Sequence, residues 1–379
     1  MMARPCQVSK CLRLLILITT LAACNASSSA PPTGTGPPAP TAKTTLNAPS
    51  DPEVISRLDT YFTNLGFTGS VLIARDGKIL LNKGYGEADR VKKIPNTART
   101  KFRIASVTKQ FTAMAILILE SQGKLDLQDS VCAYISTCPS AWQAITLHHL
   151  LTHTSGLPDY YSSPDWALYQ ATPIAPSELI DHFIDKPLDF QPGEKWNYSN
   201  SGYEVLGTII EQVSGTTYET FIKENILLPL NMTDTGYLEN TDDLSIGYPD
   251  AYTTLPASFE HPSTLFASGG LYTTVNDLYL WDQAVFTDKL IPKELSDKML
   301  TPYISVSDMG IYTGFDYGYG WFIGEIEDHR VLFHTGRIEG FTAINYVYPD
   351  DNVIVVVLSN QWTMSVNPFQ LADFLFGDK

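Results

Sequence analysis

Three stretches of the chain carry residue types and spacings that can do covalent chemistry. In the first, Phe102-Arg-Ile-Ala-Ser106-Val-Thr-Lys109, a serine and a lysine stand three apart where a strongly apolar segment begins. Positions i and i+3 share a helix face, roughly 5–6 Å apart at Cβ, so the amine can reach the hydroxyl and act as the base that makes serine a nucleophile. A place near a helix N-terminus adds unpaired backbone N–H groups and about half a unit of positive charge, which favour a developing oxyanion. The same spacing recurs in Ser121-Gln-Gly-Lys124, but that copy spans a glycine at the expected helix end and reads as surface punctuation. The second stretch is Tyr198-Ser-Asn200, in a turn-rich loop that runs from Gln191 into a helix. Residues i and i+2 of an extended loop point to one side, so a phenol and an amide can face one cleft. The third is Phe333-His334-Thr335-Gly336-Arg337 at the end of a predicted strand, where the glycine lets substrate approach the backbone closely.

Residues so distant in sequence need a scaffold to bring them together. The run Phe111–Leu119 is apolar on every side, which in a helix means burial in a large core. It is far shorter than the ~20 residues of a membrane span. Upstream, Asp51-Pro52-Glu53 opens a helical pattern through Ile55, Leu58, Tyr61, Phe62 and Leu65 that stops at Gly66. Strand-forming runs at 69–74 and 78–85 flank Asp76-Gly77, a strong hairpin signal. From Gly123 to about Pro302 the pattern is mostly helices and long loops, with predicted helices over 147–151, 177–183, 204–213, 217–226 and 276–285. Runs rich in strand formers return at 320–326, 331–334, 343–348 and 353–359, a turn falls at 349–352, and a short helix over 368–376 follows. Strands at both ends of a helical middle predict an α/β (α+β) chain with an antiparallel sheet built from the N- and C-terminal segments and flanked by helices. The sheet lobe is expected over about 51–105 and 303–379 and the inserted, mainly helical lobe over about 106–302, with the site in the cleft between them.

Composition bounds the rest. Of the 379 residues 44% are hydrophobic and 17% charged, the balance of an ordinary globular chain that can bury a core. A net charge of −16 argues against sequence-independent nucleic-acid binding, which needs a basic footprint. At the N-terminus, Arg4, Lys10 and Arg13 precede an apolar run from Leu14 to Ala23, the layout of an export signal. The run ends Leu21-Ala-Ala-Cys24, similar to the lipobox of bacterial lipoproteins, in which cleavage precedes the cysteine and lipid is attached to its thiol. An ordinary secretory signal is the alternative, and either reading makes the protein extracytoplasmic. Residues 25–50 are almost all Ser, Thr, Ala, Pro and Gly, a composition suited to a tether between a membrane anchor and a folded domain from residue 51. Removal of residues 1–23 and lipidation of Cys24 would leave only Cys132 and Cys138 as thiols, a candidate disulfide pair in an oxidising compartment.

Taken in order, Ser106-Val-Thr-Lys109, Tyr198-Ser-Asn200 and His334-Thr-Gly336 resemble the three motifs of the penicillin-recognising serine hydrolases, which include class C β-lactamases, DD-carboxypeptidases of the penicillin-binding type and related esterases. The segments Leu147–Pro158, Tyr198–Gly207 and Ala267–Thr274 are similar to recurring segments of that family, so the likeness extends over residues 51–379. The resemblance implies an acyl-enzyme on Ser106, with Lys109 shaping its proton transfer and Tyr198 as base or proton shuttle. Nearby cations are expected to favour the phenolate. Asn200 is expected to donate to the substrate amide or hold Lys109. The backbone N–H groups of Ser106 and Arg337 would form the oxyanion hole, and Thr335 and Gly336 would line the substrate edge. The third motif departs from the lactamase pattern, because His334 stands where class C enzymes usually carry lysine. That likens the chain to the DD-peptidase and D-aminopeptidase branch and predicts electrostatic help that varies with pH. Arg337 could capture a substrate carboxylate in bidentate fashion, or be a solvated arginine at a strand end. No metal or organic cofactor is implied. The expected partners are a small-molecule or peptidoglycan-like peptide substrate and, through a lipid anchor, the membrane. A D-alanyl-D-alanine carboxypeptidase or D-peptidase is the leading activity, with a promiscuous carboxylesterase, a weak β-lactamase or a non-catalytic binding protein as alternatives.

Several other residues have simpler readings. His149 and His153 stand four apart on a possible helix beside His148, a zinc-like spacing, but no acidic third ligand is near in sequence. Ser201-Gly-Tyr-Glu204 reads as a capping box. Tyr160 and Tyr161 could line the cleft mouth or pack a loop. No Gly-x-Ser-x-Gly elbow occurs, which argues against an α/β-hydrolase.

Overall fold

The computed structural model describes residues 51–237, 243–363 and 366–377. Cys24, the export signal and the tether lie outside the described residues. Helix α1 (Asp51–Asn64) opens on Asp51 and Glu53, acidic groups at the positive end of the helix dipole, and buries the stripe Val54, Leu58 and Phe62. Strands β1 (Gly69–Arg75) and β2 (Lys78–Tyr85) form the expected hairpin. Asp76 and Gly77 take φ of 50° and 73°, the pair of left-handed residues a type I′ turn requires.

A short 3₁₀ turn (Ala105–Val107) leads directly into helix α2 (Thr108–Ser121), in which every residue from Thr108 to Leu119 is buried. That explains a helix with no polar face. Helix α3 (Leu147–Leu151) is capped reciprocally by Thr146 and His149. Helix α4 (Asn200–Ser214) stops at Gly215, which takes φ 76°. A single turn α5 (Phe266–Gly269) and helix α6 (Val275–Val285), capped by Thr274, complete the helices used below.

The chain then makes β3 (Ile304–Ser305), β4 (Asp316–Tyr317), β5 (Phe322–Ile326), β6 (His329–Ile338), β7 (Phe341–Tyr348), β8 (Val353–Ser359) and helix α7 (Pro368–Phe376). One eight-stranded antiparallel sheet runs β2-β1-β8-β7-β6-β5-β4-β3. The N-terminal hairpin joins at β8, with Gly69 opposite Ser359 and Arg75 opposite Val353, so the two ends of the domain share one sheet. Both faces are covered. Val353, Val355 and Val357 pack in the core that holds Val54, Leu58 and Phe62 of α1 and Leu371 of α7, while Val356 and Leu358 join the core built on α2 and α6. This is why the β8 sequence reads as an unbroken apolar run.

Three departures from the sequence reading bear on the site or its scaffold. The strand expected over 331–334 runs from His329 to Ile338, because pairing with β7 holds Thr335, Gly336 and Arg337 in the ladder despite the weak strand preference of the glycine. The helix expected over 217–226 is a regular turn Tyr218–Ile222 followed by a π-helical turn Lys223–Leu227. The two-residue strands β3 and β4 are too short to show periodicity, and β4 carries Tyr317, which matters below. Cys132 and Cys138 are bonded as a disulfide. Among the described residues no helix is long and apolar enough to cross a membrane.

Candidate active site

The nucleophile sits on a strained turn. Ala105 takes φ 48°, a left-handed conformation that costs a non-glycine residue about 1–3 kcal/mol and persists only where its surroundings enforce it. The enforcement comes from two sides. Ile104 N–H donates to the Leu271 carbonyl at 3.0 Å, and Phe102 and Arg103 pair with Thr273 and Tyr272. On the other side β6 presses against the turn through Gly336, where a Cβ would lie 2.0 Å from the Ile104 carbonyl oxygen. Gly336 therefore serves the approach of the protein's own backbone, a role the sequence reading gave to substrate.

Lys109, in the first turn of the buried helix, is the hub. Its Nζ stands 3.3 Å from Ser106 Oγ, 2.7 Å from Asn200 Oδ1 and 2.9 Å from the Ser268 carbonyl on α5. Burial pushes its pKa from 10.5 down to about 7, against the pull of Asp159. In the neutral amine two N–H bonds serve Asn200 and Ser268, whose oxygens can only accept, and the lone pair is left for the Ser106 hydroxyl. Asn200 thus holds Lys109 through Oδ1.

The Tyr198 phenol stands beside the Ser106 side chain, and its ring centroid is 4.8 Å from Lys109 Nζ. The expected stabilisation of the phenolate is not found. Burial raises the Tyr198 pKa well above that of an ordinary phenol, and the neighbouring lysine is itself driven toward neutrality. Tyr198 therefore keeps its proton, and Lys109 is the group poised to accept one.

The third motif lies on β6. Ile338 pairs with Phe341 across the two-residue turn Glu339–Gly340, so the next residue inward, Arg337, turns its N–H away from β7. β5 has already ended, its last pair being Phe333 with Phe322, and the nucleophile turn packs against β6 beyond it. The Arg337 and Ser106 N–H groups are thus candidates for one oxyanion hole. His334 is buried, and burial together with Lys109 pushes its pKa down to about 3. It stays neutral across the physiological range, which overturns the expected variation with pH. Thr335 Oγ1 lies 3.1 Å from the Tyr312 hydroxyl. The Arg337 side chain is exposed and engaged elsewhere: Nε and Nη2 donate to the Trp362 carbonyl at 3.2 and 2.8 Å, and the guanidinium lies 4.6 Å from the Trp362 ring centroid. Neither reading, a free bidentate fork or a solvated strand end, describes it.

Several residues that sequence reasoning assigned elsewhere, or passed over, surround this core. Ser201 and Glu204 form no capping box. Ser199 is the N-cap, Ser201 Oγ donates to the Pro158 carbonyl at 2.6 Å, and Glu204 is fully buried, where its Oε2 accepts the Ala267 N–H at 3.0 Å. Glu204 Oε1 lies 2.9 Å from the Tyr160 hydroxyl, which also lies 2.6 Å from the Thr264 carbonyl. That carbonyl can only accept, so the one Tyr160 proton goes to it and Glu204 must supply the proton of the other bond. A protonated Glu204 agrees with a pKa that burial raises from 4.5 to about 8. Tyr160 is therefore a core residue, while Tyr161 is half-buried and donates to Glu260 Oε1 at 3.0 Å. The three histidines diverge. His148 Nδ1 meets Tyr319 at 2.8 Å, His149 caps α3, and His153 lies beneath the Tyr198 ring with centroids 4.3 Å apart. His153 Nε2 and His334 Nε2 both contact the Tyr317 hydroxyl, at 3.2 and 3.1 Å. The unusual φ of His153, 59°, marks it as special, but no sequence periodicity carries that signal.

The Beta-lactamase family model matches residues 58–374. The putative penicillin-binding protein PbpX of Bacillus subtilis (strain 168) is 34% identical over 310 residues, 80% of this chain and 73% of its own length. Among solved structures, the octameric penicillin-binding protein homologue from Pyrococcus abyssi superposes with a TM-score of 0.74 at 30% identity, covering 86% of this chain and 75% of that one. The penicillin binding protein from Bacillus halodurans superposes with a TM-score of 0.72 at 29% identity, covering 81% and 96%.

Proposed function

The chain belongs to the beta-lactamase family of serine hydrolases, and on that footing we propose that it cleaves D-alanyl peptides of the peptidoglycan type through an acyl-enzyme on Ser106. The observation that carries this reading is the Lys109 amine, whose two other contacts are to acceptors and whose lone pair is left facing Ser106 Oγ at 3.3 Å. As Oγ attacks the scissile carbonyl carbon, Lys109 Nζ takes its proton. The negative oxygen of the tetrahedral intermediate settles between the Ser106 and Arg337 N–H groups, a fixed pair of donors each worth roughly 2.7–4 kcal/mol. As the C–N bond breaks, the Tyr198 phenol gives its proton to the leaving nitrogen and takes up the one held on Lys109, so both groups end as they began, and water then attacks the ester with the same groups acting in reverse. Asn200 Nδ2 and Thr335 Oγ1 orient the substrate. A carboxypeptidase acting on cell-wall peptides works outside the cytoplasm. Leu21–Cys24 as a lipobox and the Cys132–Cys138 disulfide support an exported, lipid-anchored protein.

A second reading, a promiscuous carboxylesterase, is favoured by one observation. The third motif offers no free fixed cation to a substrate carboxylate, since His334 is neutral and Arg337 is bound to Trp362. Both readings meet one experiment: the purified protein and Ser106→Ala are incubated with a fluorophosphonate probe and with a fluorescent penicillin, and adducts are read by intact mass. A stable penicillin adduct on the unmodified protein supports the D-peptidase, rapid release a β-lactamase, and fluorophosphonate labelling alone the esterase. No adduct with either probe would sink the acyl-enzyme proposal.

A further inference from the structure

Behind the cleft four hydrogen bonds run in series, and the groups at the two ends fix their directions. The Ser199 N–H can only donate, so His153 Nδ1, 3.2 Å away, presents a lone pair, and the proton of the neutral ring sits on Nε2. At the far end the Thr335 carbonyl can only accept, so His334 Nδ1, 2.7 Å away, carries the proton and His334 Nε2 is the lone pair. Between the rings stands the Tyr317 hydroxyl, 3.2 Å from His153 Nε2 and 3.1 Å from His334 Nε2. It accepts from the first and can donate to the second, with the Tyr203 hydroxyl as its other neighbour. Protonating His153 would set Nδ1–H against Ser199 N–H. Protonating His334 would leave the Tyr317 hydroxyl facing an N–H from each ring, with nowhere in the series for its own proton. Ser199 separates Tyr198 from Asn200, and Thr335 separates His334 from Gly336, so the series joins the second motif to the third.

We propose that Tyr317 and His153 are positioning residues: their one-way series holds His334 as the neutral Nδ1–H tautomer and fixes the Tyr198–Asn200 loop against β6. The inference rests on the reading of this cleft as the hydrolytic site. The strained backbone of His153 supports it independently, since a left-handed histidine persists where its side chain is required in one place. The titratable groups packed around the series come from every wall: Lys109 from α2, His153 from the turn after α3, Tyr198 from the loop before α4, Tyr203 from α4 itself and Tyr317 from β4, with Phe322 of β5 alongside. The two bases among them, Lys109 and His153, both oppose a charge on the ring.

The test reads the tautomer directly. In the full-length chain labelled with 15N-histidine, assigned against His334→Asn, His334 is expected to show the Nδ1–H pattern and His153 the Nε2–H pattern, neither changing between pH 5.5 and 8.5. Tyr317→Phe should populate both His334 tautomers and slow fluorophosphonate acylation of Ser106 tenfold or more, with the melting temperature reported alongside. A wild-type His334 that titrates in this window, or that carries its proton on Nε2, overturns the proposal. So does a folded Tyr317→Phe that keeps one tautomer and the wild-type rate. Should Tyr317→Phe not fold, the wild-type spectrum alone decides. A locked tautomer in a protein whose Ser106 takes no probe refutes the hydrolase reading and leaves the series standing. A titrating His334 beside a labelled Ser106 does the reverse.

Discussion

A Cβ on Gly336 would lie 2.0 Å from the carbonyl oxygen of Ile104, so the strand bearing one candidate oxyanion donor and the turn bearing the other meet with no side chain between them. The contact sets the spacing of the two N–H groups. Gly336→Ala is expected to push β6 off the nucleophile turn and lower the acylation rate of Ser106 by about a hundredfold, the order of loss that a 1 Å misplacement brings. Overpacking should destabilise the fold by only about 1–3 kcal/mol. Stopped-flow acylation together with urea unfolding separates the two effects. A variant that acylates normally would show that the contact does not position the donors.

Acylation should rise with pH around neutrality. Burial lowers Lys109 from 10.5 to about 7, so the lone pair facing Ser106 appears as pH climbs through 7, far below where an exposed lysine would lose its proton. Fluorophosphonate labelling rates from pH 5 to 9 should trace one limb, low on the acid side, with a midpoint near 7. His334 adds no second limb in this range, because its pKa of about 3 lies below it. A midpoint near 10 would remove Lys109 as the base, and Lys109→Ala should abolish the limb along with most of the rate.

Glu204 should tolerate conversion to its uncharged isostere. The single Tyr160 proton goes to Thr264, so Glu204 is protonated in the folded state, and glutamine reproduces that donor. Glu204→Gln is expected to keep the acylation rate at pH 7 within about threefold. Folding raises the Glu204 pKa to about 8 from an ordinary carboxyl value of 4.5. Below about 4.5 the carboxyl is protonated whether folded or unfolded. Between 4.5 and 8 only the folded state holds the proton, so wild-type stability falls relative to the glutamine variant as pH rises, then levels off. Melting curves at pH 5 and 8 check this. A gap that narrows toward pH 8 would mean that Glu204 is ionised.

Much of this site was legible in the sequence, for reasons that also mark the limit. Asp76-Gly77 names its own turn, the all-apolar α2 announces burial, and the β8 run shows a strand covered on both faces, because each is a local pattern imposed by a local geometry. The three motifs likewise sit in short segments whose residue types suffice. Tyr317, His153 and Glu204 do not. Tyr317 lies on a two-residue strand, and its meaning depends on two rings 164 and 17 residues away. Glu204 imitates a capping box, and only the packing of α5 against α4 shows that its carboxyl is buried. The Tyr198 phenolate failed as an expectation for the same reason: proximity to a lysine can be read from motifs, whereas the desolvation of both groups requires the whole fold.

Arg337 is the residue whose side chain should matter least to the chemistry. Its backbone N–H faces away from β7, but the guanidinium donates twice to the Trp362 carbonyl and lies over that ring. Removing the side chain leaves the backbone donor in place. Arg337→Ala is therefore expected to change kcat/KM for a neutral ester, and for a peptide ending in a D-alanyl carboxylate, by no more than about threefold. Bidentate capture of that carboxylate predicts something different, since hydrogen bonds to charged groups are worth about 1.5–3 kcal/mol and their loss should weaken the carboxylate substrate by ten- to over a hundredfold while sparing the ester. Measuring the two substrates side by side on one variant decides between these outcomes, because a change in the oxyanion hole itself would slow both alike.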